Sequence, residues 1–247
     1  ASSATFVGWC WRANGGTTAS NTDGSITSTV QANTKAGFSI MTYTGTGSNA
    51  TIGHGLSSAP DFVLVKRRSS AQTWAVYHSA LGGTYNLVLN GTNAKATGSA
   101  FWQDTDTSSS VITIGTEGRV NQSSGTYVAY AWHNIEGYSK FGSFEGNSNA
   151  DGPFVYTGFR PRLVFCKAVD ASENWQVRDT ARSTYNDDSQ VRIYWNSNAA
   201  EGTASTASPI DFLSNGFKVR GSNSEINSNT IVYGAWGDVP FKYNNTF

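Results

Sequence analysis

One seven-residue phrase occurs three times and limits what this chain can fold into. It reads Thr5-Phe6-Val7-Gly8-Trp9-Cys10-Trp11, then Thr126-Tyr127-Val128-Ala129-Tyr130-Ala131-Trp132, then Thr230-Ile231-Val232-Tyr233-Gly234-Ala235-Trp236. Each copy opens on Thr, carries β-branched or aromatic residues and closes on Trp, as a strand on a pleated, half-buried surface does. The last two copies start 104 residues apart. That period is too long for a solenoid unit and suits a whole β-domain.

The chain between these copies can be laid over itself. Pro60 and Phe62-Val63-Leu64-Val65-Lys66 match Pro161 and Leu163-Val164-Phe165-Cys166-Lys167. Trp74–Ala80 matches Trp175–Ala181. The retained Trp/Val face of this strand is expected to point into a sandwich core, with Trp74 and Trp175 as buried equivalents. The copies differ at Tyr77/Arg178 and His78/Asp179.

Short alternating strands between Gly- and Asn-rich turns, with almost no helical periodicity, predict an all-β chain: two tandem jelly-roll-like antiparallel β-sandwich repeats. A single large sandwich built from both halves is the alternative. Residues 1–16 read as the closing strand of a preceding repeat, which favours a chain cut from a longer polypeptide. Residues 17–36 read as a polar insertion or linker with one weak edge strand at Ser25–Val30. The repeats are assigned to residues 37–136 and 137–247, and Phe241-Lys242-Tyr243 restarts the pattern in the tail.

Composition narrows the setting. Lys plus Arg and Asp plus Glu are 17 each, so the chain lacks the basic footprint of a nucleic-acid binder. It has no apolar run long enough to span a membrane as a helix. Charged residues are only 14%, and Ser, Thr and Asn do the solvating, which suits an extracellular or virion-surface protein. Cys10 aligns with Ala131 and Ala235, and Cys166 with Val65. Both read as small apolar core positions, and no disulfide is expected.

The phrases "GFSIMTYTGTGSNATIGHGL", "WAVYHSALG", "TYVAYAWHNIEGYSKFGSFEGNSNADGPFVYTGFRP" and "DFLSNGFKVR" resemble repeat domains of virion surface and tail-fibre proteins of tailed bacteriophages, notably marine ones. Those domains are similar to concanavalin-A-like or laminin-G-like lectin sandwiches. The resemblance implies a tail-fibre, appendage or capsid-decoration protein with host-surface recognition as its usual role; with no catalytic cluster in the sequence, the expectation is a non-enzymatic virion protein that binds a host-surface glycan. Its implied partners are copies of itself (a trimer in fibres) and other virion proteins. It carries no ligand motif that transfers residue by residue.

No arrangement of residues announces catalysis. A glycosidase needs two carboxylates across a groove, and Asp104 with Asp106 reads better as a solvated turn. No Gly-x-Ser-x-Gly elbow occurs. The loops 147–152 and Asn186-Asp187-Asp188 offer hard oxygen ligands for Ca²⁺ but lack a calcium-loop spacing, and Asx turns explain them equally well. No metal or cofactor is therefore expected. For a glycan, Trp102 with Asp104, and Trp195 with Asn196 and Asn198, are the candidate ligand-binding residues, because each Trp lies outside the repeated strands and beside polar groups. A secreted carbohydrate-binding module or a polysaccharide-degrading enzyme is the alternative function.

Overall fold

The computed structural model describes residues 5–186, 190–203 and 208–238. Asp187, Asp188 and the tail phrase Phe241-Lys242-Tyr243 lie outside the described residues.

The first sandwich contains β1 (Ala19–Asn21), β2 (Ser28–Asn33), β3 (Phe38–Thr44), β4 (Ala50–Gly53), β5 (Phe62–Arg67), β6 (Ala75–His78), β7 (Tyr85–Val88), β8 (Ala96–Thr97), β9 (Val111–Ile114) and β10 (Thr126–Trp132). Two single-turn helices, α1 (Ser99–Trp102) and α2 (Gly118–Asn121), lie between its later strands. Its large sheet has the order β1-β2-β3-β10-β5-β6-β7-β8, and β4 pairs with β9 as a small sheet. The second sandwich contains β11 (Ser139–Glu145), β12 (Phe154–Tyr156), β13 (Leu163–Ala168), β14 (Gln176–Asp179), β15 (Val191–Tyr194), β16 (Gly202–Thr203), β17 (Ile210–Leu213), β18 (Gly216–Val219) and β19 (Thr230–Trp236), with α3 (Ser224–Asn227) before the last strand. Its large sheet runs β11-β19-β13-β14-β15-β16 and its small sheet β12-β18-β17.

The two copies share one plan. The repeated phrase forms the central strand of each large sheet: β10 pairs with β3 and β5, and β19 with β11 and β13, all antiparallel. In each sandwich one core lies between the large and small sheets. The first holds Met41, Ile52, Val63, Val65, Ile112, Ile114 and Ala129. The second holds Val155, Val164, Cys166, Phe217, Val219 and Ile231. A third apolar cluster joins the outer faces of the two large sheets. The fold is thus two sandwiches in tandem, joined along an aromatic seam.

The seam explains why β5 and β13 read as unbroken apolar runs. Successive residues of a strand face opposite sides, so a run without alternation is buried on both. Val63 and Val65 face the first core, while Phe62 and Leu64 face the seam. Val164 and Cys166 face the second core, while Leu163 and Phe165 face the seam. The retained Trp/Val face corrects the expectation that it points into a sandwich. Trp74, Val76, Trp175 and Val177 all belong to the seam. Trp175 is fully buried and Trp74 half-buried.

Other expectations change too. Residues 5–14 form no strand, although Thr5–Trp11 carries the strand phrase, because no neighbouring strand pairs with them among the described residues. Cys10 is consequently exposed, whereas Cys166 is buried in a core, where desolvation raises its thiol pKa to about 12. The segment 17–36 is not a free linker. Its β1–β2 hairpin extends the first large sheet through β2–β3 pairing, and Ile26 and Val30 enter the first core.

Each sandwich is closed by a buried asparagine at the end of a short helix. Asn121 accepts from the Thr46 backbone N–H (2.8 Å) and donates to the carbonyls of Ser48 (2.6 Å) and Gly115 (2.9 Å). Asn227 accepts from Asn147 N–H (2.8 Å) and donates to the carbonyls of Asn149 (2.7 Å) and Gly221 (2.7 Å). The amide ties the loop after the first strand of the sandwich to the turn before its short helix. Truncation strands three backbone groups in each case. Asn121→Ala and Asn227→Ala should each cost about 3 kcal/mol and lower Tm by roughly 6–12 °C. A change below about 1 kcal/mol in calorimetric unfolding, the size of an ordinary surface substitution, would show that the bracket is not structural.

His78 sits in the seam. The Ala80 N–H donates to its Nδ1 (3.2 Å), so its proton lies on Nε2 and is donated to the Tyr233 carbonyl (3.1 Å). Burial pushes its pKa from 6.5 down to about 4. Between those values the unfolded chain binds a proton that the folded chain does not, so stability rises with pH there. The contribution is complete above pH 6.5 and is lost as pH falls toward 4, to a limit of about 3 kcal/mol. Burial lowers the His54 pKa as well, with the same sign. Tm should therefore fall between pH 7 and 5, and His78→Gln should flatten part of that slope. An unchanged slope in the variant would remove His78 as its source.

Candidate functional site

Seven of the eight tryptophans meet in the seam: Trp9, Trp11, Trp74, Trp132, Trp175, Trp195 and Trp236. Three of them are the last residues of the three copies of the repeated phrase. Trp11, Trp132 and Trp236 form a triangle with centroid separations of 5.6, 5.1 and 6.2 Å and interplanar angles of 74°, 62° and 72°. Edge-to-face packing sets the positive ring edge against the negative face of the next ring. Thr5–Trp11 forms no strand, yet its final Trp occupies a place equivalent to that of the two strand copies.

Beside this triangle the seam opens into a cavity of about 310 Å³. Its walls are Trp9, Trp11, Trp74, Trp132, Trp195, Trp236, Phe62, Leu64 and Leu89, with no titratable side chain. It adjoins a second hollow of about 400 Å³, where Ile40 and Tyr130 extend the wall. Polar groups are confined to the margin. Lys66 Nζ stands 5.7 Å from the Trp74 ring centroid and donates to the Gln72 carbonyl. Trp9 Nε1 donates to Asp179 Oδ2 (3.2 Å), which also accepts from Arg182 Nε (2.7 Å). The indole N–H groups of Trp132 and Trp236 are buried without a partner among the described residues. The cleft therefore offers aromatic faces and apolar area. It suits stacking and docking; the walls of the first cavity are apolar, and the adjoining hollow adds the Cys10 thiol and the Tyr130 ring.

The sequence-predicted ligand residues do not form one site. Trp102 is 1% exposed and lies inside the first sandwich, edge-on to Tyr77 at 5.9 Å. It is a core residue, because α1 stands in the first sandwich at the point in the chain where the second has β17. Asp104 is exposed in a turn with positive φ (50°). Trp195 belongs to the seam, 5.0 Å from Phe165, and lines the cleft. Asn196 accepts from Trp175 N–H (2.9 Å) and donates to Asn174 Oδ1 (2.9 Å), so it holds a strand end. Asn90 does the same for Trp74 N–H (2.9 Å). Asn198 is exposed away from any of these contacts. Sequence reasoning missed Trp74, Trp9 and Trp11 as cleft residues. The unbroken apolar runs of β5 and β13 were the available signal, since they show that the outer face is covered too.

The asparagine-rich loop 147–152 bonds to its own backbone: Asn147 Oδ1 accepts from Asn149 N–H (3.0 Å) and Asn149 Oδ1 from Asp151 N–H (2.9 Å). Among the described residues no three His, Cys, Asp or Glu side chains gather closely enough to hold a metal ion.

The second sandwich carries one polar cluster that the first lacks. Arg178 replaces Tyr77 and points inward, donating to Gln176 Oε1 (3.0 Å) and the Ser208 carbonyl (2.5 Å). Burial lowers its pKa to about 10. Glu225 accepts from Asn174 (2.7 Å), Gln176 and Tyr194 (3.2 Å) nearby. These groups satisfy one another and occupy core volume that an aromatic ring fills in the first copy.

No curated protein and no solved structure matches this chain. One family model, described as a domain of unknown function, matches residues 1–240. The chain, with its two sandwiches and their common seam inside that span, therefore belongs to the DUF7483 family.

Proposed function

We propose that this chain is a non-enzymatic structural module of a virion-surface or tail-fibre protein, and that its aromatic cleft serves docking rather than catalysis. The observation that supports this most is the seam. A large, mostly buried aromatic interface locks two sandwiches into one body, as a stiff spacer and display element requires. Interfaces of this character within a chain suppress the relative motion that small polar domain contacts allow. The neutral, Ser/Thr/Asn-rich surface and the resemblance of the strand phrases to phage repeat domains supply the setting.

The adhesive part of the reading assigns a host-surface glycan to the mouth of the cleft. Trp74 is half-buried there with its ring accessible beside Lys66, and Trp9 lies next to Asp179 and Arg182. A sugar could stack on the ring while the marginal charged groups meet its hydroxyls. Individually weak sites gain by repetition around an oligomer, by a factor of about 10² to 10⁴.

A glycan array probed with the purified chain, with and without Ca²⁺, tests the adhesive part. Saturable binding should appear and should fall at least about tenfold in Trp74→Ala, a loss of about 1.4 kcal/mol, while Trp102→Phe leaves it unchanged. Binding indifferent to Trp74 would displace the site from the cleft, and no binding at all would leave only the structural part. That part is tested separately by antibody labelling of intact particles, where label absent from the virion surface would overturn it.

A further inference from the structure

The two sandwiches meet head to tail, not face to face by a two-fold. From the first sandwich, Phe62 reaches Phe165 (4.9 Å) and Phe141 (5.8 Å) of the second, and His78 donates to the Tyr233 carbonyl of β19. In return Trp175 Nε1 donates to Val88 O (2.9 Å), and Lys167 Nζ donates to Thr92 O (3.2 Å). One border of the first sandwich thus covers one face of the second. A two-fold would repeat these contacts in reverse. Instead Asp179, the equivalent of His78, bonds Trp9 of the Thr5–Trp11 phrase, one position along from the equivalent of Tyr233. Trp74 and Lys66, the equivalents of Trp175 and Lys167, stand half-buried at the open cleft.

A corresponding contact therefore occurs twice in one direction, made by an imidazole on a backbone carbonyl in one case and by a carboxylate on an indole N–H in the other. Position 78 of the first sandwich engages the closing strand of the second, and position 179 of the second engages a third copy of that strand. The closing Trp of each phrase, Trp11, Trp132 and Trp236, meets the other two at similar separations and angles, an arrangement that three equivalent steps around one axis would give. Head-to-tail interfaces close into rings when the rotation permits.

We infer that the open face of the first sandwich, around Ile40, Leu64, Trp74 and Leu89, seats a third sandwich of the same repeat type, closed by Thr5–Trp11 as its central strand. The occupant would cover Trp74 as the first sandwich covers Trp175, and would give Thr5–Trp11 the two strand neighbours that β10 and β19 have. The exposed Phe6, at 92%, aligns with the core residues Tyr127 and Ile231, so it would enter the interior of that sandwich. This packing argument goes beyond the structural part of the proposed function and competes with its adhesive part, because a Trp74 covered by a third sandwich cannot stack on a glycan.

The test grafts residues 137–229 directly before Thr5 of the full chain, so that Thr5–Trp11 follows them as Thr230–Trp236 does. A second version grafts residues 37–125. Small-angle scattering should show a compact three-sandwich particle. Ile40→Lys, on the half-buried open face, should shift Tm of the ungrafted chain by no more than about 2 °C, and that of the grafted chain by roughly 6 °C or more. A tethered, independently moving extra sandwich would overturn the inference, as would equal shifts in the two chains. So would an extra segment that stays unfolded in both versions, since Thr5–Trp11 would then not close a sandwich. If light scattering instead shows the ungrafted chain to be a dimer that Ile40→Lys dissociates, a second copy is the occupant and the inference fails.

Discussion

Desolvation of the outer sheet faces is the constraint from which the rest of the molecule follows. A sandwich normally leaves the outer face of each sheet to water and alternates accordingly. Here β5 and β13 do not alternate, and Phe62, Leu64, Leu163 and Phe165 would all be solvated in an isolated repeat. Aromatic rings bury about 150–250 Å² each, and at about 25 cal/mol per Å² a seam with seven tryptophans outweighs any polar contact between the repeats. Gly234 shows how tightly the seam-facing side of the second large sheet is packed. A Cβ at that position would lie 2.3 Å from Cε1 of Phe165 and 2.9 Å from Phe141, so the seam-facing slot that holds Tyr130 in the first copy must be empty in the second.

The fold was legible where a local rule set the structure. The closing phrases Thr126–Trp132 and Thr230–Trp236 are strands with the boundaries that their alternation gave. The correspondence of Pro60 with Pro161 and of Trp74 with Trp175 placed the same strands in the same order. The misreadings have one physical source, which is that a strand's character depends on its neighbours. Thr5–Trp11 has the right residues but no strand beside it, so its backbone does not enter a sheet and Cys10 faces water. The Trp/Val face of β6 and β14 was assigned to a sandwich interior because a single repeat offers only one interior. The second interior exists only between repeats, and a pattern within one repeat cannot show it.

The candidate site was less legible for a related reason. Trp102 and Trp195 were chosen because they lie outside the repeated strands, on the idea that divergence marks function. Divergence here marks packing instead. Trp102 compensates for a strand that the first sandwich lacks, and Trp195 fills the place taken by Leu89 in the other copy, since both N–H groups bond the carbonyl of the preceding seam tryptophan. The cleft is lined by shared tryptophans, Trp74, Trp132 and Trp236, as well as by the divergent Trp195, and Trp74 differs from its equivalent Trp175 only in what covers it.

That difference accounts for where the two repeats agree and where they do not. Inward positions meet similar surroundings in both copies, and many agree, such as Val63 with Val164, Ala131 with Ala235, Val120 with Ile226 and Asn121 with Asn227, while Tyr127 against Ile231 and Ala129 against Tyr233 exchange apolar volume. Seam positions keep Trp74 with Trp175, Val76 with Val177 and Trp132 with Trp236, but many others meet a different neighbour in each copy and diverge: Ile40 against Phe141, Leu64 against Phe165, Tyr130 against Gly234, His78 against Asp179. Arg178 in place of Tyr77 breaks the inward rule, and it does so with its own set of buried acceptors. A buried guanidinium without such partners would cost several kcal/mol, so Gln176 and Ser208 had to change with it. The sequence of each repeat thus records two separate demands: an interior that any copy must satisfy alone, and an outer face shaped by whichever sandwich stands beside it.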